Sequence, residues 1–228
     1  MLDFDFMRQI LPDLLQAALI TVEISTLAVL FGIVSGGVFG CLRVIGPRWA
    51  QTLIQIVVDY IRGVPPLVHI ALIYFTLPRF GIFLNEFWTG VVALTIIATG
   101  YEVEIVRAAI ESIDKGQREA ARAIGMTEPL ALRTILLPQA ARRMIPALTN
   151  ELANVVKASS LLSIIAVKEI TQVGNALIFD YFVFTEIIIE MAVLYLLIVS
   201  VLQVASRFLE ERVFAFGNVT QPTIQDIR

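Results

Sequence analysis

Glu119-Ala120-Ala121-Arg122-Ala123-Ile124-Gly125, closed downstream by Leu137-Pro138, is a polar and largely helix-forming stretch. It lies between apolar runs long enough to cross a bilayer. Charged side chains in hydrocarbon carry a steep desolvation penalty. The stretch is therefore expected in water, held by membrane spans on either side, where something soluble can push on it.

The rest of the chain agrees with a membrane setting. Its 228 residues are 57% hydrophobic and 16% charged, whereas soluble domains carry about a quarter charged residues. A net charge of −3 without a basic arm argues against nucleic acid as a partner. Cys41 is alone in the first apolar run, so it reads as a buried, inert thiol and no disulfide can form within the chain. The start, Met1-Leu2-Asp3-Phe4-Asp5-Phe6, has no basic region and no cleavage-like site, so the first span is expected to stay in the mature protein.

An all-α integral membrane protein with five transmembrane helices follows. The expected spans are residues 19–42, 57–78 (apolar body 64–78, accepting Asp59 and Arg62), 84–106, 145–167 and 185–208. Seven of the 17 basic residues fall between Arg107 and Arg143, with Arg43 and Arg48 in the first loop and Arg207, Arg212 and Arg228 in the tail. Asp3, Asp5 and Asp13 outweigh Arg8 in the N-terminal arm. The positive-inside bias then puts the N-terminus outside and the C-terminus in the cytoplasm, in agreement with an odd number of spans. Residues 165–185 break the apolar pattern and are expected on the outer face with a short helix.

The whole chain reads as one transmembrane domain, with residues 107–145 as a cytoplasmic segment. There, residues 117–124 are expected to form one helix with a charged face and a small apolar one. Gly125 permits a tight turn, Thr127-Glu128-Pro129 reads as a cap with a first-turn proline, and a second helix over 130–136 ends at Pro138. Such a shape is either a docking knob or an amphipathic hairpin lying on the membrane. Periodicity does not separate the two, because both need a small apolar face.

Glu119-Ala120-Ala121, Gly125, Ile135, Leu137 and Pro138 resemble, in residue and spacing, the EAA signature of ABC importer permeases. Arg62-Gly63-Val64-Pro65, the run from Tyr101 to Arg107, Gly116-Gln117-Arg118, and the run from Pro146 to Glu151 with Lys157 and Ser159-Ser160-Leu161 resemble the branch that imports polar amino acids. The resemblance spans nearly the whole chain and implies the type I ABC importer permease fold. It implies a second permease subunit, identical or paralogous, and two ATPase subunits that bind ATP and Mg. It also implies a periplasmic or surface-anchored solute-binding protein, with all of these assembled at the bacterial cytoplasmic membrane. The knob would be the coupling helix, with Glu119 fixing docking by charge, Ala120 and Ala121 packing closely, Gly125 making the turn, and Met126 and Pro138 completing the segment. The alternative is a membrane scaffold or signalling subunit that docks a cytoplasmic effector through the same loop.

No phosphate-cradling Gly-rich loop with Lys and Ser/Thr is present, so ATP is expected on a partner and not on this chain. One His and one Cys make neither a zinc site nor a Ser-His-Asp arrangement, so no catalytic or metal residues and no cofactor of its own are expected.

Ionisable residues inside a membrane are function candidates by default. Arg62, Glu102, Glu104 and Glu151 are expected at similar depth, with Arg62 able to pair with one carboxylate. Asn154, Lys157, Ser159 and Ser160 come nearer mid-bilayer. The substrate-pathway candidates are Arg62, His69, Glu102, Asn150, Glu151, Asn154, Lys157 and Ser160. The family usually has Asp-Thr-Ser after the lysine, whereas this chain has Ala158-Ser159-Ser160, which gives no support to a cationic substrate. Relatives often carry Gln at the position of His69, which points to a hydrogen-bonding role there. Glu23, Glu186 and Glu190 are expected to snorkel to water or face a second subunit. Gly32-Gly36-Gly40 places one small residue at each helical turn and is expected at a close helix crossing.

Overall fold

The computed structural model describes residues 2–214, with side-chain surroundings through residue 208; Arg228 and the side chain of Arg212 lie outside the described residues. The described chain is helical from end to end. The helices are α1 (Phe4–Ile45), α2 (Arg48–Gly63), α3 (Pro66–Thr76), α4 (Glu86–Glu111), α5 (Lys115–Ala123), α6 (Glu128–Ala131), α7 (Leu137–Ala158), α8 (Ile170–Tyr181) and α9 (Thr185–Phe214). Among the described residues three helical stretches, Phe4–Ile45, Glu86–Glu111 and Thr185–Phe208, are long and apolar enough to cross a membrane. The number becomes five if each of two bent helix pairs is one span.

α1 starts well before the expected residue 19. Asp3 caps it, its Oδ1 accepting from the backbone N–H groups of Asp5 at 3.1 Å and Phe6 at 3.0 Å. α4 begins in the same way, with Asn85 Oδ1 accepting from Trp88 N at 2.9 Å. Apolar length locates a span, whereas caps set where the helix begins.

The expectation of one helix over 57–78 is corrected. α2 and the stretch Pro66–Phe80 meet at 105°. Pro65 and Pro66 supply no N–H, so the carbonyls of Ile61 and Arg62 lose their helical donors and the helix breaks. His69 is buried, and its Nε2 donates to the orphaned Ile61 carbonyl at 3.1 Å, while its ring meets Tyr60 edge-on. The histidine thus fastens the bend.

The expected stop at Pro138 is also corrected. After α6 the chain runs through a wider π-turn, Leu132–Leu136, and straight into α7. Leu137 N–H reaches back five residues to Leu132 O, and the loosened turn accommodates the proline. α7 then continues through Pro146, where the fourth span was expected to start. It tightens into a 3₁₀ stretch, Ser159–Ile165, that joins α8.

Three buried clusters stack along the bundle. Ile10, Leu14 and Ala17 of α1 pack with α8 and α9. Ile24 and Ala28 of α1, Leu94 and Ile97 of α4, and Leu162 form the middle. Val106 and Ile110 of α4, Leu132, Leu136 and Met144 close the far end. α1 and α4 cross closely because Gly32, Gly36 and Gly40 form a groove for α4, as the repeat leads one to expect. A Cβ on Gly36 would lie 2.6 Å from the Glu102 Cβ, and one on Gly40 would lie 2.7 Å from the Val106 Cβ.

The joint before α8 is pinned on two sides. Ile170 N donates to Thr21 Oγ1 of α1 at 3.2 Å. Glu169 is fully buried, and its carboxyl oxygens accept from Gln172 N at 2.7 Å, Thr171 N at 2.9 Å and the Tyr195 hydroxyl of α9 at 2.7 Å. Removing one donor from a buried carboxyl is worth about 1–3 kcal/mol. Tyr195→Phe is therefore expected to lower the melting temperature of the detergent-purified protein measurably, whereas Tyr181→Phe on an exposed site leaves it unchanged. Glu190 departs from expectation. It is buried because it shares the inward register of α9 with Ile187 and Leu194. Glu23 is exposed, and Glu186 Oε1 accepts from Asp3 N at 3.3 Å.

Candidate functional site: a water-facing hairpin and a polar face on α7

Two places gather the chemistry-bearing residues. The first is the α5–α6 hairpin. Its turn is a Schellman arrangement, with Gly125 N donating to Arg122 O at 2.9 Å and Met126 N to Ala121 O at 3.0 Å. Gly125 has φ +81°, in the left-handed region that favours glycine. Ala121 is buried within the chain, whereas Ala120, Glu119 and Gly125 are exposed. Ile124 stands at the tip, 77% exposed. A large apolar side chain at the tip of an otherwise charged hairpin is what a docking surface presents, and Met126 lies half-buried beneath it.

The hairpin is tied to the bundle. Arg143 Nη1 donates to the backbone oxygen of Ser112 at 2.5 Å and to its hydroxyl at 2.9 Å, joining α7 to the end of α4. Glu104 and Glu111 of α4 share Arg107, and Glu104 also pairs with Arg43 of α1. Within the hairpin, Glu128 pairs with Arg118 and Arg122. Hydrogen bonding from Arg118, then from Arg122, holds the Glu128 carboxyl below the usual carboxylate range. A carboxyl depressed in this way contributes its stabilisation at and above the ordinary carboxylate range and loses it as pH falls through the depressed value. The link is therefore intact across neutral pH.

The second place is the outward face of α7. Asn150, Asn154 and Lys157 follow one another at helical spacing and are all exposed in the single chain. Glu151 beside them is buried, and Asn154 Nδ2 donates to its Oε2 at 3.4 Å. Ser160 is half-buried and donates to the Lys157 carbonyl at 2.8 Å. Arg62 makes no salt bridge among the described residues. Its guanidinium lies 5.4 Å from the centre of the Tyr101 ring and is exposed. Glu104, one of the carboxylates considered for it, is already engaged by Arg43 and Arg107.

Glu102 sits apart. It is fully buried in the glycine groove of α1, and neither carboxyl oxygen has a hydrogen-bond partner among the described residues. A Cβ on Gly32 would collide with its Oε2. Sequence reasoning put Glu102 at the depth of Arg62 and expected the close crossing, but missed that Glu102 fills the groove and that Glu128 pairs with Arg118 and Arg122. Only the doubling of Arg118 and Arg122 at one-turn spacing hinted at a shared partner.

A bundle of apolar helices that bears a polar face on one long helix and a charged hairpin at one end is the architecture of a multi-pass membrane subunit of a transporter. Residues 28–215 match the model for the binding-protein-dependent transport system inner membrane component family, and the chain belongs to that family. It is 37% identical over 204 residues to the glutamine transport system permease protein GlnP of Escherichia coli (strain K12), covering 89% of this chain and 93% of that protein. It is 34% identical over 192 residues to the probable glutamine ABC transporter permease protein GlnM of Bacillus subtilis (strain 168), covering 84% and 89%. A crystal structure of an amino acid ABC transporter with histidines superposes with a TM-score of 0.85 at 31% identity, covering 93% of this chain and 99% of that one. Inward-facing structures of the MetNI methionine ABC transporter share the fold, with a TM-score of 0.80 at 23% identity over 90% of this chain and 98% of that one. The chain is thus a non-catalytic, multi-pass permease subunit of an ABC importer in the bacterial inner membrane, and the ATPase is a separate chain.

Proposed function

We propose that this chain forms half of a translocation pore for a polar amino acid, with the N-terminus outside and the C-terminus in the cytoplasm. The five spans are then α1, the bent pair α2–α3, α4, the α7–α8 pair and α9. A second permease subunit, identical or paralogous, completes the pore. Two ATPase subunits carrying ATP and Mg dock on residues 107–145, and a solute-binding protein delivers cargo from outside. One observation carries this reading: Asn150, Asn154 and Lys157 lie exposed on α7, with no covering element among the described residues. Polar groups cannot face lipid at that depth without a large penalty. A water-filled path shared with a second subunit removes that penalty.

The chemistry of that face suits a neutral polar amino acid. The carboxamides of Asn150 and Asn154 each offer two donors and an acceptor, matching a carboxamide cargo. Lys157 complements the α-carboxylate, and Glu151 complements the α-ammonium. Arg62 and Ser160 flank the path, Glu102 backs it from the α1 groove, and His69 holds the bend that shapes its outer half. The names of the relatives make glutamine the first cargo to test.

In the mechanism, cargo reaches the outward-open pore from the binding protein, and closure of the ATPases pulls the two hairpins together. The helices that continue from each hairpin, α6 into α7, carry that movement to the polar face. Glu119, Ala120, Gly125 and Met126 form the contact surface, Ala121 backs it from within, and the π-turn before Pro138 transmits the motion.

The test is reconstitution of this chain with its ATPase and binding protein in vesicles. ATP-dependent uptake of labelled glutamine is expected, and an assembled complex that moves no amino acid on ATP addition refutes the proposal. In the same vesicles Lys157→Ala is expected to lower uptake about tenfold, the loss of one charge-assisted contact. The amount of permease in the membrane stays unchanged, because Lys157 is exposed and supports no packing.

A further inference from the structure

The α5–α6 hairpin contains a charge cluster that the EAA pattern does not require. Arg118 and Arg122 lie one turn apart on α5, and Glu128 opens α6 across the Gly125 turn. Arg118 Nε donates to Glu128 Oε2 at 2.8 Å, and its Nη2 lies 2.7 Å from the same oxygen. Arg122 Nε donates to Oε1 at 2.6 Å, and its Nη2 also pairs with that oxygen. Each carboxylate oxygen therefore holds one guanidinium, and both acceptor positions are filled. Glu119, the acid of the motif, lies outside the cluster and is exposed.

We infer that Glu128 is a positioning residue for energy coupling, fixing the angle between the docking helix α5 and the helix α6 that leads into α7. This rests on the reading of residues 107–145 as the coupling segment. Between the two helices the chain has only Ile124, Gly125, Met126 and Thr127. Thr127 occupies the N-cap of α6 without making a side-chain cap bond, so only backbone bonds such as Ala131 N to Thr127 O at 2.9 Å hold its first turn. The Schellman bonds close the end of α5 but do not reach α6. Of α6 itself only Ala131 is buried, and the hydrophobic cluster around Leu132 and Leu136 secures the chain beyond it. A push on Ile124 at the tip would bend the linker unless something spans it. Glu128 and its two arginines span it.

The cluster is part-exposed, with Arg122 the most open of the three. Isolated surface pairs add little to folding stability. The staple therefore acts on geometry and not on the survival of the fold, and this makes it separable by experiment.

The experiment uses the complete importer in vesicles: this permease, its ATPase and its binding protein, with labelled glutamine as cargo. Solute moved per ATP hydrolysed is measured together with the melting temperature and ATPase co-purification. Glu128→Gln keeps the side-chain shape and removes the charge. It is expected to lower solute per ATP about threefold, in keeping with the modest energy of part-exposed pairs, at unchanged melting temperature and with the ATPase still bound. The triple reversal Arg118→Glu, Arg122→Glu, Glu128→Arg rebuilds the staple with opposite signs and is expected to recover at least half of the loss. A wild-type ratio in Glu128→Gln overturns the inference, and so does a reversal no better than Glu128→Gln. A Gly125→Asp control separates the two readings. If it transports normally, the coupling role of the segment falls and the staple with it. If it is dead while Glu128→Gln matches wild type, the staple inference alone falls.

Discussion

Replacing Gly125 with aspartate is expected to abolish solute uptake while leaving the chain folded in the membrane. The backbone there has φ +81°, and a Cβ built on Gly125 meets no atom within 4 Å. The chain itself therefore does not resist the side chain sterically. The left-handed conformation costs about 1–2 kcal/mol, less for aspartate, whose short polar group tolerates it. That is too small to unfold a bundle of this size. On the proposed coupling role, the space that is open in the isolated chain, beside exposed Ala120 and Ile124, is where an ATPase surface approaches. A charged group placed there enters the interface without a partner. Uptake in vesicles should fall to background and ATP hydrolysis should no longer respond to loaded binding protein, while membrane levels match wild type. Wild-type uptake in Gly125→Asp would remove the hairpin from the coupling path.

Gly36→Leu should have the opposite profile: loss of the fold and, with it, of everything else. The hypothetical Cβ comes within 2.6 Å of the Glu102 Cβ and 3.2 Å of the Glu102 backbone carbon. A flexible side-chain tip could move away, but a backbone carbon at the centre of α4 cannot. Overpacking of this kind costs about 1–3 kcal/mol for each well-packed site, and occasionally more. Here the separation of α1 from α4 also opens the groove that holds Glu102 and the neighbouring contacts at Gly32 and Gly40. The variant is expected to accumulate poorly and, where purified, to melt well below wild type. Gly37→Leu is the control. It lies one residue on, faces away from α4, and meets nothing within 4 Å, so its stability should be near wild type. Equal melting temperatures for the two would show that the groove does not hold the bundle together.

Much of the α5–α6 hairpin was legible in the residues. The glycine turn stands where expected with a positive φ, and α5 covers the expected helix to within two residues at its start. Its charge placed it outside hydrocarbon before any fold was known. The spans were legible as lengths of apolar sequence but not as helices. Asp3 and Asn85 start their helices through side-chain bonds that hydropathy does not register. Pro65-Pro66 broke a span where apolar content argued for continuity, and Pro138 failed to break a helix because a π-turn absorbed it. The same residue type had opposite outcomes, since a proline ends a helix only where the carbonyls it orphans find no local remedy.

By itself the sequence determined that the chain is a helical membrane protein with a charged, motif-bearing segment, and which family it joins. Those conclusions rest on the cost of burying charge in lipid and on residue types at fixed spacing, both of which are local along the chain. Partnerships between distant residues were decided only by the tertiary structure. Glu102 lies in the α1 glycine groove, His69 mends a broken helix, and Glu128 gathers two arginines across a turn. Each depends on the angle at which helices cross, which is set by packing of side chains far apart in sequence. Hydropathy and spacing carry no record of that angle.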